Sequence, residues 1–262
     1  MGKEKIAENI QTTETEHDIF MPNISVDCVI FGFHQKSLKV LLYKGKGASK
    51  WMLPWGFVKK EEDVDEAALN VLKDRTGLRD VYLKQFHLFG NNTRGYFEDS
   101  AEMIKLTNFD PQKSGWDHQR CLSLGYYALI KYDDVNIRTE EDESTDWFAI
   151  DDLPVLYADH KEQVGYAVNF IKQQLGYVPI GFELLPEKFT LPELRSIYEA
   201  ILGKDLDRRN FQRKMLAAGI IIPTNETRRC GAHKSPNLYK FDQAKYDKAR
   251  KFGLHLVVFK FK

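Results

Sequence analysis

The chain has 262 residues, enough for one large domain or two ordinary ones, and 43% of them are apolar, which is sufficient for a buried core. Its 38 basic and 38 acidic side chains cancel, yet the first 179 residues carry 21 − 29 = −8 and the last 83 carry 17 − 9 = +8. This asymmetry excludes an evenly mixed single domain and predicts two domains, the second facing a polyanion.

The front part is predicted to be a sheet with two helices. The first 20 residues have no apolar run, so we expect a disordered tail without a signal peptide, and no stretch reaches the ~18 apolar residues of a membrane span. Three widely spaced cysteines predict reduced thiols of a cytoplasmic protein. Strands are predicted at 24–33, 38–44, 81–89, 121–132 and 144–150, helices at 64–75 and 160–176, and a loop at 51–57.

Two features of this front part carry further predictions. Asp63 and Glu66 have the spacing of a capping box at the start of the first helix, and Gly77 is suited to end it. The segment 91–120 is too long for an ordinary hairpin loop, which predicts a functional insertion.

The back part has the pattern of a DNA-binding module. Helices are predicted at 190–203 and 207–219, and short strands at 220–224 and 237–241 flank a basic loop. This order predicts a winged helix-turn-helix joined to the front part by a connector at 177–186. The last ten residues, GLHLVVFKFK, receive no prediction.

The stretch GFVKKEEDVDEAALNVLKDRTGL (56–78) resembles the Nudix box, G-x5-E-x7-R-E-U-x-E-E-x-G-U, where U is apolar. Its ends fit the pattern at Gly56, Glu62, Leu72, Gly77 and Leu78. In that family the glutamates in the middle of the box share one helix face and gather Mg²⁺, which polarises a diphosphate.

The middle of the box departs from the pattern. Val71, Asp74 and Arg75 stand where the resemblance implies metal-binding glutamates, and Asn70 replaces the preceding arginine. A fixed positive charge raises the free energy of binding a divalent cation beside it. The acidic residues at 61–66 suit the electrostatics of a helix N-terminus. We therefore expect an inactive hydrolase with no metal, no catalytic residue and no cofactor.

Further stretches widen the resemblance: GYYALI (125–130), Asp159-His160, PIGFELLPEKFTL (179–191) and LYKF (238–241). Together with the box and the basic back part, they resemble the Nudix-related transcriptional regulators of sugar catabolism, arabinose-type pentoses in particular, or of NAD biosynthesis. The resemblance implies an α+β protein, with a Nudix fold (mixed sheet with helices) followed by a winged helix-turn-helix domain. The expected organisation is a tail at 1–20, a Nudix-like effector-binding domain at 21–158, a linker helix and connector at 159–186, and a DNA-binding domain at 187–262.

Candidate ligand residues lie in the front part. Asp27 interrupts an apolar strand, so it either pairs with a neighbour such as Lys44 or faces a ligand pocket. A carboxylate, an ammonium and the aromatic face of Trp55 would suit a sugar. The further candidates for this pocket are Lys59, Arg120 and His160, the last of which alternatively caps the helix at 160.

Candidate DNA-binding residues lie in the back part, where residues 208–234 contain seven Lys and Arg side chains against one acid. The second helix of the module enters the major groove and the wing follows phosphates. The predicted contacts are Arg208, Arg209, Asn210, Gln212, Arg213, Lys214, Arg228, Arg229 and Lys234.

Together these features predict a ligand-responsive regulator that binds a double-stranded operator as a homodimer and senses a pentose such as arabinose or xylose. One alternative is an active nucleoside-diphosphate hydrolase using Glu62 and Asp74. Another is a regulator sensing ADP-ribose, with phosphate contacts from Arg94, Lys113 or Arg120. A third is an RNA-binding or protein-interaction module, which shares the basic patch but has no operator preference.

Overall fold

A computed structural model of the protein describes residues 19–78, 81–92, 94, 100–107, 120–135, 143–176, 180–228 and 235–252. The front part is a mixed sheet in which the order is β4-β5-β1-β2-β6 and β3 pairs with β1. Only the pairing of β1 with β5 is parallel among these described strands. The strands are β1 (Phe20–His34), β2 (Ser37–Gly45), β3 (Trp55–Lys59), β4 (Leu83–Phe89), β5 (Leu122–Leu129) and β6 (Glu143–Ala149).

Successive side chains of β1 point to opposite faces of the sheet, and a helix covers each face. Val26, Cys28 and Ile30 belong to a buried cluster with helix α1 (Val64–Thr76). Val29 and Phe31 belong to a second cluster with the long helix α3 (His160–Gln174). The predicted capping box and the Gly77 C-cap of α1 are confirmed.

The insertion after β4 contains a short helix that the sequence did not reveal, α2 (Ser100–Thr107). The predicted loop at 51–57 was also partly wrong, since residues 55–59 form β3 against the first half of β1. Gly56 permits this pairing next to α1, because a Cβ at this position would lie 2.8 Å from Cγ2 of Val71.

The back part is the predicted winged helix-turn-helix. Helix α4 (Leu191–Leu202) starts with a Thr190–Glu193 capping box, and helix α5 (Arg208–Ala217) starts at Asp207, whose carboxylate accepts the Asn210 N–H at 2.8 Å. Strands β7 (Ile221–Thr227) and β8 (Asn237–Phe241) form the wing.

A third helix, α6 (Gln243–Phe252), follows the wing and was not predicted. The Tyr246 hydroxyl donates to Glu183 of the connector at 2.7 Å, and Arg250 donates to the same carboxylate at 3.1 Å while stacking on Tyr82 of the front part. This helix therefore packs against both parts of the chain. The predicted tail up to residue 18 and the last ten residues lie outside the described residues. In the described part, no helix has the length and apolarity to cross a membrane.

Candidate effector pocket and DNA interface

A buried polar network lies between β1, β5 and the start of α3. The Asp27 carboxylate, on a residue only 2% exposed, accepts hydrogen bonds from Ser123 at 2.5 Å, Gln163 at 2.6 Å and Arg94 at 3.1 Å. Arg94 also donates to Asp159 at 2.6 Å. Side chains from β1, β5, the start of α3 and the insertion therefore meet at one guanidinium and two carboxylates.

The charges of this network stabilise one another. Burial by itself would raise the pKa of Asp159, but the hydrogen bond and the charge of Arg94, with the amide of Gln163, bring the pKa below its ordinary value. Burial would also lower the pKa of Arg94, and the two carboxylates more than offset this effect. Both groups are therefore held in their ionised forms.

A cavity of about 270 Å³ adjoins the network. Arg94, Asp159 and Glu162 form its polar part. Its apolar part is an aromatic cluster of His87, Phe89 and Tyr166, in which ring centroids lie 4.6 to 5.6 Å apart. A concave site with clustered aromatic rings and a few convergent polar groups is typical of a small-molecule pocket. Tyr166 is 45% exposed, so the cluster is accessible from solvent.

The structure gives the predicted ligand residues different surroundings. The suggested pairing of Asp27 with Lys44 is wrong, because Arg94 takes that place and the Lys44 ammonium lies 5.5 Å from the centre of the Trp51 ring. Trp55 is opposite Asp27 in the strand register, but its ring packs on Phe57 at 4.9 Å.

The remaining ligand candidates are Lys59, Arg120 and His160. Lys59 and Arg120 are exposed, the latter just before β5. His160 is 4% exposed, and its Nδ1 accepts the Leu53 N–H at 3.0 Å. Burial is the main cause that lowers the pKa of His160, so the ring is neutral and holds the 51–53 loop. It therefore does not act as a helix cap.

Helix α1 shows how the altered box positions are used. Val71 packs on Gly56, and the Asn70 amide donates to Glu62 at 2.6 Å. Arg75 forms an ion pair with Glu143 and stacks 4.0 Å from the centre of the Tyr43 ring. Among the residues that the structure describes, no three His, Cys, Asp or Glu side chains are placed to hold a metal ion.

Helix α5 presents a polar stripe opposite its buried residues. Phe211 and Met215 face the core, whereas Arg209, Gln212 and Arg213 are exposed at positions i, i+3 and i+4. Of the other predicted contacts on this helix, Arg208 is exposed, and Asn210 and Lys214 are partly buried. The Asn210 amide oxygen accepts a hydrogen bond from Arg213 at 3.1 Å, which orients the guanidinium.

Of the three predicted wing contacts, the structure describes Arg228. Arg228 forms an ion pair with Glu193 at 2.5 Å and donates to the Lys188 carbonyl at 2.9 Å, so it fastens the wing to the start of α4. Arg229 and Lys234 lie outside the described residues. A cavity of about 680 Å³ separates the wing from α4 and α5, and Arg195, Arg208 and Gln212 are among the residues that line it.

Several residues of the Asp27 network were not predicted. Gln163 and Ser123 looked like ordinary polar positions of a helix and a strand. Arg94 was considered only as a phosphate contact, although it lies in the insertion that had been marked as functional. The Asp159-His160 pair was the available signal, because it places a carboxylate at the beginning of a predicted helix beside the sheet.

Comparisons with known proteins match this architecture. Residues 21–168 match the family described as NUDIX domain, and residues 181–241 match the family described as NrtR DNA-binding winged helix domain. The predicted fold class, a Nudix fold followed by a winged helix domain, is therefore confirmed.

Individual relatives cover most of the chain. A protein of Acinetobacter baylyi described as "ADPR responsive transcriptional repressor NtrR" is 29% identical over 233 residues, which are 86% of this chain and 84% of that protein. The crystal structure of Shewanella oneidensis NrtR complexed with a 27mer DNA has a TM-score of 0.67 at 25% identity and covers 88% of this chain and 97% of that one. The crystal structure of Shewanella oneidensis NrtR has a TM-score of 0.66 at 26% identity, with coverage of 86% and 96%.

Proposed function

We propose that this DNA-binding transcriptional regulator responds to ADP-ribose. The chain belongs to the Nudix family and carries an NrtR-type winged helix domain. The observation that carries the proposal is the joining of these two domains in a chain that is similar, over most of its length, to a protein described as an ADPR-responsive transcriptional repressor. Binding in the Nudix domain shifts the affinity of the winged helix for its operator.

The pentose expectation is not supported. The comparisons match the NrtR type of regulator rather than a regulator of sugar catabolism, and they favour the ADP-ribose alternative. The surroundings of Lys44 and Trp55 also give no support to a sugar site, because Lys44 lies over the Trp51 ring and Trp55 packs on Phe57 instead of joining Asp27 in one pocket.

The cavity beside the Asp27 network has the chemistry of a nucleoside pocket. The faces of His87 and Tyr166 suit an adenine ring, since stacking needs an aromatic surface that solvent can reach. The carboxylates of Asp159 and Glu162 only accept hydrogen bonds when ionised, and ribose hydroxyls are donors. We infer that the nucleoside end of the effector binds here.

We further propose that the box in α1 binds no metal and that the protein does not hydrolyse its effector. Two positions of the metal-binding face are occupied by an apolar side chain and by a guanidinium that already has two partners, Glu143 and Tyr43. The residues present therefore do not fit the magnesium site of the family. The retained fold then serves recognition alone.

At the operator, we propose that the exposed stripe on α5 reads base edges in the major groove. Arg209 and Arg213 are suited to guanine, and the Gln212 amide is suited to adenine. Two such helices on a pseudo-palindromic site require two copies of the chain, so we propose a homodimer on DNA.

The proposal is tested by binding of ADP-ribose to the full chain. Calorimetry should give saturable 1:1 binding of ADP-ribose per chain and no binding of arabinose or xylose. A Tyr166→Ala variant should bind more weakly, because it loses one stacking face. Binding of a pentose with none of ADP-ribose would contradict the proposal and return the sugar reading.

A further inference from the structure

A buried carboxylate from the insertion sits on the amides of a neighbouring loop. Oε1 of Glu102, in α2, accepts the Ser49 N–H at 2.5 Å, the Lys50 N–H at 2.9 Å and the Ser49 hydroxyl at 3.0 Å. Glu102 is 5% exposed. Three donors converging on one oxygen make the loop a receptor for an anion.

The loop has the composition of a phosphate-binding segment. The end of β2 and the loop after it, residues 44–50 (KGKGASK), contain three lysines, two glycines and no acid. Burial would raise the pKa of Glu102, but the amide hydrogen bonds from Lys50 and Ser49 keep the pKa below its ordinary value, so the carboxylate is an anion in this position. Its interactions are of the type that a phosphate oxygen makes with backbone amides.

The same insertion fills the neighbouring pocket with the opposite charge. Arg94 donates to Asp159, whereas Glu102 accepts from the Ser49–Lys50 amide pair. The segment 49–53 links the two sites, because the Leu53 N–H donates to His160, the residue after Asp159. Ser49 precedes Leu53 by four residues, which separates them by at most roughly 14 Å. The insertion thus supplies Arg94 as a donor to the pocket carboxylates and Glu102 as an anion to the Ser49–Lys50 amides.

We propose that the Ser49–Lys50 amide pair is a phosphate subsite and that Glu102 is its internal occupant, which a phosphate-bearing ligand must displace. The carboxylates of the nucleoside pocket repel phosphate, so a diphosphate requires a cationic, amide-rich surface nearby. The loop provides that surface. The inference rests on the proposed function only where the phosphate belongs to ADP-ribose, since free pyrophosphate has the same chemistry.

The test is calorimetry of the full chain with inorganic pyrophosphate in one arm and ADP-ribose in the other. If Glu102 occupies the amides in about nine of ten molecules, vacating them raises the affinity for pyrophosphate about tenfold. Glu102→Gln keeps a weaker, neutral acceptor and should show a gain up to this limit, and adding Ser49→Ala should reverse part of it. Glu187→Gln removes an exposed charge just after the connector and is the matched control.

Circular dichroism melting shows whether each variant is folded. Should Glu102→Gln fail to fold, Glu102→Asp withdraws the carboxylate by one methylene and should also raise the affinity. The same pyrophosphate affinity in the wild type and in a folded Glu102 variant would overturn the inference, as would an equal gain in Glu187→Gln. A gain for pyrophosphate without any binding of ADP-ribose supports the subsite and instead rejects the proposed effector.

Discussion

Replacing Asp27 with asparagine tests whether the buried network holds the front domain together. Asp27 accepts from Arg94, Ser123 and Gln163, so the substitution removes the charge from three hydrogen bonds at once. Breaking a buried ion pair costs about 3–5 kcal/mol when one charge is left alone. Because Asp159 continues to pair with Arg94, the loss should lie near the lower end of that range, about 3 kcal/mol.

The free energy of unfolding is measured in urea by tryptophan fluorescence. All four tryptophans precede residue 160, so the signal reports on the front domain. The control is Asp134→Asn, whose carboxylate is 55% exposed in an i,i+3 pair with Lys131 and whose loss should stay within about 0.5 kcal/mol. In a double variant with Arg94→Met, the losses should be less than additive. A loss under about 1 kcal/mol for Asp27→Asn would refute the reasoning, because it would mean that the network contributes no more than an ordinary neutral hydrogen bond.

Three further predictions concern pH, catalysis and DNA. Because the pKa of His160 is lowered in the folded state, its contribution to stability is fully present above pH 6.5, the ordinary pKa of histidine. This contribution is lost as the pH falls toward the pKa of the folded state. Urea titrations at several pH values should show the loss, and His160→Gln should abolish it. ADP-ribose incubated with the wild type and Mg²⁺ should remain intact by chromatography, and turnover on the order of 1 per second would contradict the role given to Arg75. Arg209→Ala should relax the preference for the base pair that it contacts, at a cost of about 1–3 kcal/mol for the preferred site, with unchanged stability. Arg228→Ala should instead lower stability by up to about 1 kcal/mol, because its ion pair with Glu193 is lost. A larger loss of stability in Arg209→Ala than in Arg228→Ala would contradict the assignment of Arg209 to DNA and of Arg228 to the fold.

The sequence predicted those parts of the fold that depend on local pattern. Asp63 with Glu66 located the start of α1, and two apolar runs on either side of a polar turn at 34–37 located the hairpin of β1 and β2. The short strand β3 escaped because its residues Trp55–Lys59 contain a glycine and follow a proline, and the strand exists through pairing with distant residues of β1. Helix α6 escaped because only two of its residues are buried, so its apolar periodicity is weak.

The candidate site was less predictable, since its contacts join residues far apart in the chain. Asp27 was recognised as costly to bury alone, but its partner Arg94 is 67 residues away and Gln163 is 136 residues away. Lys44 was predicted as the partner because it lies near Asp27 in the sequence, whereas the actual partner, Arg94, comes from the insertion. On α5 the helical period sufficed, because exposure there follows directly from the positions of Phe211 and Met215.

A change in operator affinity on addition of ADP-ribose is the expected signature of an ADP-ribose-responsive regulator. A labelled duplex that the full chain selects from a random pool is titrated with protein at one fixed salt concentration, and fluorescence anisotropy gives the affinity with and without ADP-ribose. We predict that ADP-ribose changes the affinity at least about fivefold, which is the lower end of typical coupling between two sites, and that arabinose and xylose leave it unchanged. An operator affinity that is unchanged by ADP-ribose, or that a pentose alone alters, would contradict this prediction.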